Sequence, residues 1–179
     1  MNLLLPGLRN SGPNHWQSIW QQQYPHKFVR VNQRNWNKPN RQNWVEELDR
    51  VANQFILSEL ILIGHSVGCA TIVHWLAQTN VSVKGVLLVA PSDVESPAYP
   101  TYITGFAPLP LQPIAVPAIV VASSNDPVVS LERARYFAQC WGSQFQLLHN
   151  AGHIEDKSGY GSWPQGLEFL SWLEANISR

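Results

Sequence analysis

Short apolar runs alternate along this chain with stretches of helical periodicity, and that alternation narrows the fold more than any other feature. Leu3 to Leu5 closes at Pro6-Gly7, and a helix is expected from Pro13 to Gln23, capped by Ser11 or Gly12. A strand at about Lys27 to Val31 leads through a polar loop, Asn32 to Asn40, into a helix from Arg41 to Gln54. There Trp44, Leu48 and Val51 share one face. The pairing repeats as strand Leu60 to Ile63 with helix Ser66 to Gln78, then strand Gly85 to Val89. It closes with strand Ala118 to Ala122, helix Leu131 to Cys140, strand Phe145 to Leu148 and helix Pro164 to Ile177. Strands that are near-continuous apolar runs are buried on both faces. Six of them, alternating with helices at all but one connection, predict a mostly parallel sheet with helices on both sides, a three-layer α/β fold. Connections should be right-handed, and ligands should bind beyond the carboxyl ends of the strands.

Length and composition add bounds to that reading. A chain of 179 residues fits one domain, 1–179, with little room for a separate lid. Twelve basic residues balance twelve acidic ones, which disfavours nucleic acid or an anionic membrane as the main partner. No apolar stretch approaches the ~18 residues of a membrane span. Cys69 and Cys140 make no disulfide framework and suit small apolar roles in helices. With no basic residue ahead of the Leu3 to Leu5 run, no secretory signal is expected, and the expected compartment is the cytoplasm. The basic stretch Lys27, Arg30, Arg34, Lys38 and Arg41, with Trp36 inside it, is better read as a solvated loop than as a single-strand nucleic-acid surface.

Residues 91–117 interrupt the rhythm, because seven of these 27 are proline. Proline at that density sustains neither helix nor central strand. A long loop is expected there, forming a pocket wall or lid with Tyr99, Tyr102 and Phe106 in it.

The third strand runs into Gly64-His65-Ser66-Val67-Gly68, a G-x-S-x-G pattern with a strand before it and a helix after it. The turn must be sharp enough to lift the Ser66 hydroxyl above the sheet edge, and Gly64 and Gly68 let strand and helix approach. The alternative is a plain tight turn. A serine hydroxyl needs a histidine base, and the base needs an acid to fix its tautomer. Asp126 follows the fifth strand and His153 the sixth, in the chain order serine, acid, histidine. Asp93, after the fourth strand, is the second candidate acid. His149 is expected at a strand end, His65 facing away from Ser66, and His74 on the following helix. Glu155 and Asp156 read as solvated charges. The Val67 amide, at a helix N-terminus, is one expected oxyanion donor, and the Leu8 amide, beside Gly7, is the other.

Four segments carry a resemblance: PGLRNSGPNHWQSIW at 6–20, GHSVG at 64–68, APLPLQPIAVPAIVVASSNDP at 107–127 and AGHIEDKSGYGSWPQG at 151–166. Together they resemble the small serine hydrolases of the retinoblastoma-binding-protein type, a branch of the α/β-hydrolase superfamily. The resemblance implies a compact α/β-hydrolase fold and a triad of Ser66, Asp126 and His153. It implies His15 and Trp16 near the pocket, with Trp163 ending the segment after the histidine. Hydrolysis of small acyl substrates, carboxylic esters above all, is the implied chemistry. The mechanism needs no metal or organic cofactor, and no zinc-spaced Cys/His cluster, P-loop or G-x-G-x-x-G is visible. The alternative function is an inactive hydrolase fold serving as a protein-binding module. Of the eight tryptophans, Trp44, Trp75 and Trp172 are expected in the core, and Trp16 and Trp163 at the pocket. Acyl-chain preference and oligomeric state do not follow from the sequence.

Overall fold

In the computed structural model the chain builds six strands: β1 (Asn2–Leu5), β2 (Phe28–Arg30), β3 (Ile61–His65), β4 (Gly85–Val89), β5 (Ala118–Ser123) and β6 (Gln144–Leu148). Five helices connect or follow them: α1 (Trp16–Gln23), α2 (Arg41–Ala52), α3 (Val67–Thr79), α4 (Leu131–Trp141) and α5 (Pro164–Ala175). The structure describes residues 1–79 and 81–176, so the expected helix end at Ile177 lies outside the described residues. The strand order is β2-β1-β3-β4-β5-β6, with every pairing parallel.

Alternation along each strand divides the core into two layers. Leu3, Leu5, Leu62, Val86, Leu88, Val120 and Ala122 pack against α2, α3 and α4. Leu4, Ile61, Ile63, Leu87, Val89, Ile119 and Val121 face the opposite way, onto Trp16 and Trp20 of α1 and Leu170 and Leu173 of α5. Helices therefore cover both faces, as the apolar runs required.

Differences from expectation are local and have visible causes. The helix α1 begins at Trp16, three residues later than Pro13, because His15 takes the cap: its Nδ1 accepts the Gln17 amide at 3.2 Å. Ser11 is diverted from capping, since its Oγ is hydrogen-bonded to Gln17 Oε1 at 2.7 Å. The strand β3 extends to His65 because Gly64 and His65 keep pairing with Leu88 and Val89. Trp44 and Trp75 are buried as expected, whereas Trp172 is 37% exposed and is not a core residue. The basic loop is drawn into internal partners: Arg34 pairs with Glu46 and Glu47, and Arg30 bonds Asn10, Ser18 and Gln21.

Residues 91–117 contain no helix or strand. They are pinned all the same. Thr104 bridges to Asn40, His74 Nε2 meets the Phe106 carbonyl at 2.7 Å, and Trp141 Nε1 donates to the Pro110 carbonyl at 2.8 Å. Phe106 and Leu109 are buried. The segment leaves the carboxyl end of β4 and runs back along the molecule to the amino end of the parallel strand β5. Among the described residues no helix is long and apolar enough to cross a membrane.

Candidate active site

At the end of β3 the chain turns directly into α3, and Ser66 sits at the turn with φ of 57°. A non-glycine residue in this left-handed region costs on the order of 1 kcal/mol or more and persists only where its surroundings enforce it. Here the enforcement is plain. The Ser66 amide donates to the Val89 carbonyl at 3.1 Å, and the Ser66 carbonyl accepts the Cys69 amide at 3.0 Å. A Cβ on Gly68 would collide with the Leu5 carbonyl, and one on Gly64 would stand 2.8 Å from the Cys69 nitrogen. Gly7 matters equally, since a Cβ there would lie 2.9 Å from Ser66 Cβ. The loop after β1 thus packs its bare backbone against the serine and brings the neighbouring Leu8 amide alongside. Among the described residues neither the Leu8 nor the Val67 amide has a hydrogen-bond acceptor.

Asp126 follows β5, and His153 lies in the loop after β6. The His153 Nδ1 is 2.9 Å and 3.0 Å from the two Asp126 carboxylate oxygens. An ionised carboxylate only accepts, so Nδ1 carries the proton and Nε2 holds the free lone pair. The Asp126 side chain is wholly buried and its Oδ1 also accepts the Val128 amide at 2.8 Å. Asp93 has a different partner: Arg133 grips both of its oxygens, at 2.9 Å and 3.1 Å, and reaches Glu95 at 2.7 Å.

The two loops that carry Asp126 and His153 are laced together by residues the sequence reading passed over. Asn125 Oδ1 accepts the Gly152 amide at 2.8 Å. Ser123 Oγ accepts the Ala151 amide at 3.0 Å, and Ser124 Oγ accepts the Asn150 amide at 2.9 Å. The available signal was the run Ser123-Ser124-Asn125 at a strand end, since such side chains bond backbone groups of nearby turns.

The histidines fall differently from expectation. His65 does not turn away from the site. Its ring lies between those of His15 and His153, 4.8 Å from each by centroid, and its Nε2 donates to the His153 carbonyl at 2.9 Å. Burial pushes the His65 pKa down, with His15 and His153 adding to the effect. Burial also lowers His15 to about 4, against a weaker opposing pull from Asp156. His149 is exposed beyond β6, and His74 is tied to Phe106.

Ser66, His153, His15 and Leu8 line one cavity of about 580 Å³, together with Tyr99 and Ile103. Trp16 and Trp163 do not line it. They are 0% and 5% exposed and pack behind the site, with ring centroids 5.1 Å apart. Trp16 still serves it indirectly, because its Nε1 donates to the Ile154 carbonyl at 2.9 Å, one residue past His153. Ser66 Oγ itself is bonded to Ser92 Oγ at 2.9 Å, and no hydrogen bond joins it to His153. Among the described residues no group of three or more His, Cys, Asp or Glu is placed to hold a metal ion.

A doubly covered parallel sheet with a serine elbow and an Asp–His pair beyond neighbouring strands is the architecture of an α/β-hydrolase. The serine hydrolase family model matches residues 2–172, and the chain belongs to that family. Among solved structures it is similar to a YdeN-like hydrolase from Pectobacterium atrosepticum, with 36% identity and a TM-score of 0.86, over 97% of this chain and 90% of that one. The ydeN gene product of B. subtilis superposes with a TM-score of 0.82 at 19% identity, over 96% and 97% of the two chains. The carboxylesterase CesB of Bacillus subtilis does so at 0.64 and 16%, over 98% and 84%. These last two likenesses are of fold. No curated protein matches the chain.

Proposed function

We propose that this serine hydrolase cleaves small carboxylic esters through an acyl intermediate on Ser66. The observation that carries the proposal is the buried Asp126–His153 hydrogen bond, whose imidazole lines the same cavity as the elbow serine. In the reaction Ser66 Oγ attacks the ester carbonyl carbon while His153 Nε2 takes the hydroxyl proton. The Asp126 carboxylate stays ionised, holds the ring and supports the imidazolium. The tetrahedral oxyanion is received by the Val67 and Leu8 amides; loss of one such donor typically costs ~100- to 1000-fold in turnover. As the intermediate collapses, the carbon–oxygen bond to the leaving alkoxide breaks and His153 returns the proton to it. Water then repeats the sequence on the acyl-serine, releasing the carboxylic acid and restoring Ser66.

The partner proposed is a small-molecule acyl substrate, seated against the wall of Tyr99 and Ile103. Within the family we place the chain with the retinoblastoma-binding-protein type, on the four segments quoted above. The test is hydrolysis of p-nitrophenyl butanoate by the wild-type protein and by Ser66→Ala. The proposal expects turnover that the substitution abolishes. Equal rates from the two proteins would refute it.

A further inference from the structure

Ser92 stands where no feature of the sequence marked a functional residue. It follows β4, is 2% exposed and lines the cavity. Its Oγ lies 2.9 Å from Ser66 Oγ, the atom proposed above to attack the substrate. Its position is firmly held. Ala90 enters the turn with φ of 48°, its amide donating to the Val121 carbonyl at 2.8 Å. Asp93, the next residue, is clamped by Arg133 through two hydrogen bonds. The Ser92 carbonyl also accepts the Val94 amide at 3.1 Å.

The sheet order defines what Ser92 can do. The strand β3, which ends in the elbow, lies between β1 and β4. The Leu8 loop follows β1 and approaches Ser66 from one flank, whereas Ser92 follows β4 and approaches from the other. Ser92 is therefore on the wrong side to share the oxyanion with Leu8 and Val67. What it does contact is the nucleophile. If Ser66 donates in that hydrogen bond, the proton His153 must remove is engaged elsewhere. If Ser66 accepts, its own proton and a second lone pair stay free, and only the position of Oγ separates it from His153. In either polarity Oγ lies on Ser92 and makes no hydrogen bond to His153, so it must shift toward Nε2 before His153 can take its proton.

Resting on the reading of Ser66 as nucleophile, we propose that Ser92 is a positioning residue that parks the Ser66 hydroxyl away from His153 until a substrate occupies the cavity. Parking lowers the fraction of protein ready to react, so removing the partner should speed reaction with a small reagent that makes few other contacts. A net hydrogen bond of ordinary strength corresponds to ~2- to 10-fold in that rate.

The experiment measures the second-order rate of labelling by a small fluorophosphonate for wild type, Ser92→Ala and Ser92→Cys, with the adduct located by peptide mass mapping. The cysteine variant fills the space of Ser92 with a much weaker hydrogen-bonding group and is read if the alanine variant does not fold. The expected result is labelling of Ser66 that is several-fold faster in the folded variants. The midpoint of its pH profile should stay unchanged, because His153 and Asp126 are untouched. A merely structural role predicts slower labelling. Rates equal to or below wild type in the folded variants overturn the proposal. A wild-type protein that does not label at all instead removes the nucleophile reading, and this proposal with it.

Discussion

Asp126 and Asp93 are the same side chain beyond neighbouring strands, and their partners separate them. Asp126 spends its carboxylate on His153 and one backbone amide; Asp93 is held by Arg133. Asp126→Asn should lower ester turnover by about 1000-fold or more, because an amide facing Nδ1 favours the wrong tautomer. Asp93→Asn should leave kcat within a few fold of wild type. Steady-state kinetics of the two variants check this, and the reverse ranking would mean that the acid has been misidentified. Gly7 offers a second test. A methyl group there must displace Ser66 Cβ or the chain around it. Gly7→Ala should therefore lower kcat by ten-fold or more through disturbed serine and Leu8 geometry, given that small misplacements of reacting groups can cost about 100-fold. A kcat equal to wild type would show that the close approach is incidental.

At the scale of the elements, the loops after β5 and β6 act as one unit. Asn125→Ala removes the acceptor shared by the Gly152 amide and the Ser123 hydroxyl. It should cost about 0.5–1.5 kcal/mol of stability, the net worth of an ordinary hydrogen bond, since both contacts are at least partly open to water, and the urea midpoint measures that. The helix α1 carries a pH signature of its own. His15 folds with its pKa lowered from 6.5 to about 4, mainly by burial. Between those values the unfolded chain binds a proton that the folded chain refuses. Its contribution is present in full above pH 6.5 and is lost as the pH falls through about 4. His65, also lowered by burial, acts in the same direction. Urea midpoints at pH 7.5 and 4.5 should show a loss on acidification that is smaller in His15→Asn, which keeps a capping acceptor but does not titrate.

The sequence disclosed the order of these elements because apolar runs and helical periodicity survive without tertiary context. It marked Ser66, Asp126 and His153 as candidates because each follows a strand in the required chain order, and the structure joins Asp126 to His153 and sets His153 and Ser66 on one cavity. It did not disclose His15 as the cap of α1, since Ser11 and Gly12 offer the same local signal and only the bond to Gln17 draws Ser11 away. His65 and Ser92 were hidden for a related reason: a contact across two loops leaves no trace in local spacing. Trp16 and Trp163 adjoin loops of the site in sequence, yet alternation and packing send their rings into the core.

For the molecule as a whole, the walls of the site come from loops rather than from a separate cap, and residues 91–117 are bound to α2, α3 and α4. A cavity of about 580 Å³ lies in the range of small-molecule sites. Across p-nitrophenyl esters of rising chain length, butanoate and hexanoate should therefore be turned over faster than hexadecanoate; a preference for the longest chain would require an opening that this pinned wall does not provide. The proposed chemistry of this chain turns on one covalent bond. Intact-mass analysis after treatment with a fluorophosphonate, followed by peptide mapping, reads it directly. The predicted result is a single adduct on Ser66, absent from Ser66→Ala and formed far more slowly in Asp126→Asn. Folded wild-type protein that stays unmodified, or an adduct on another residue, would contradict it.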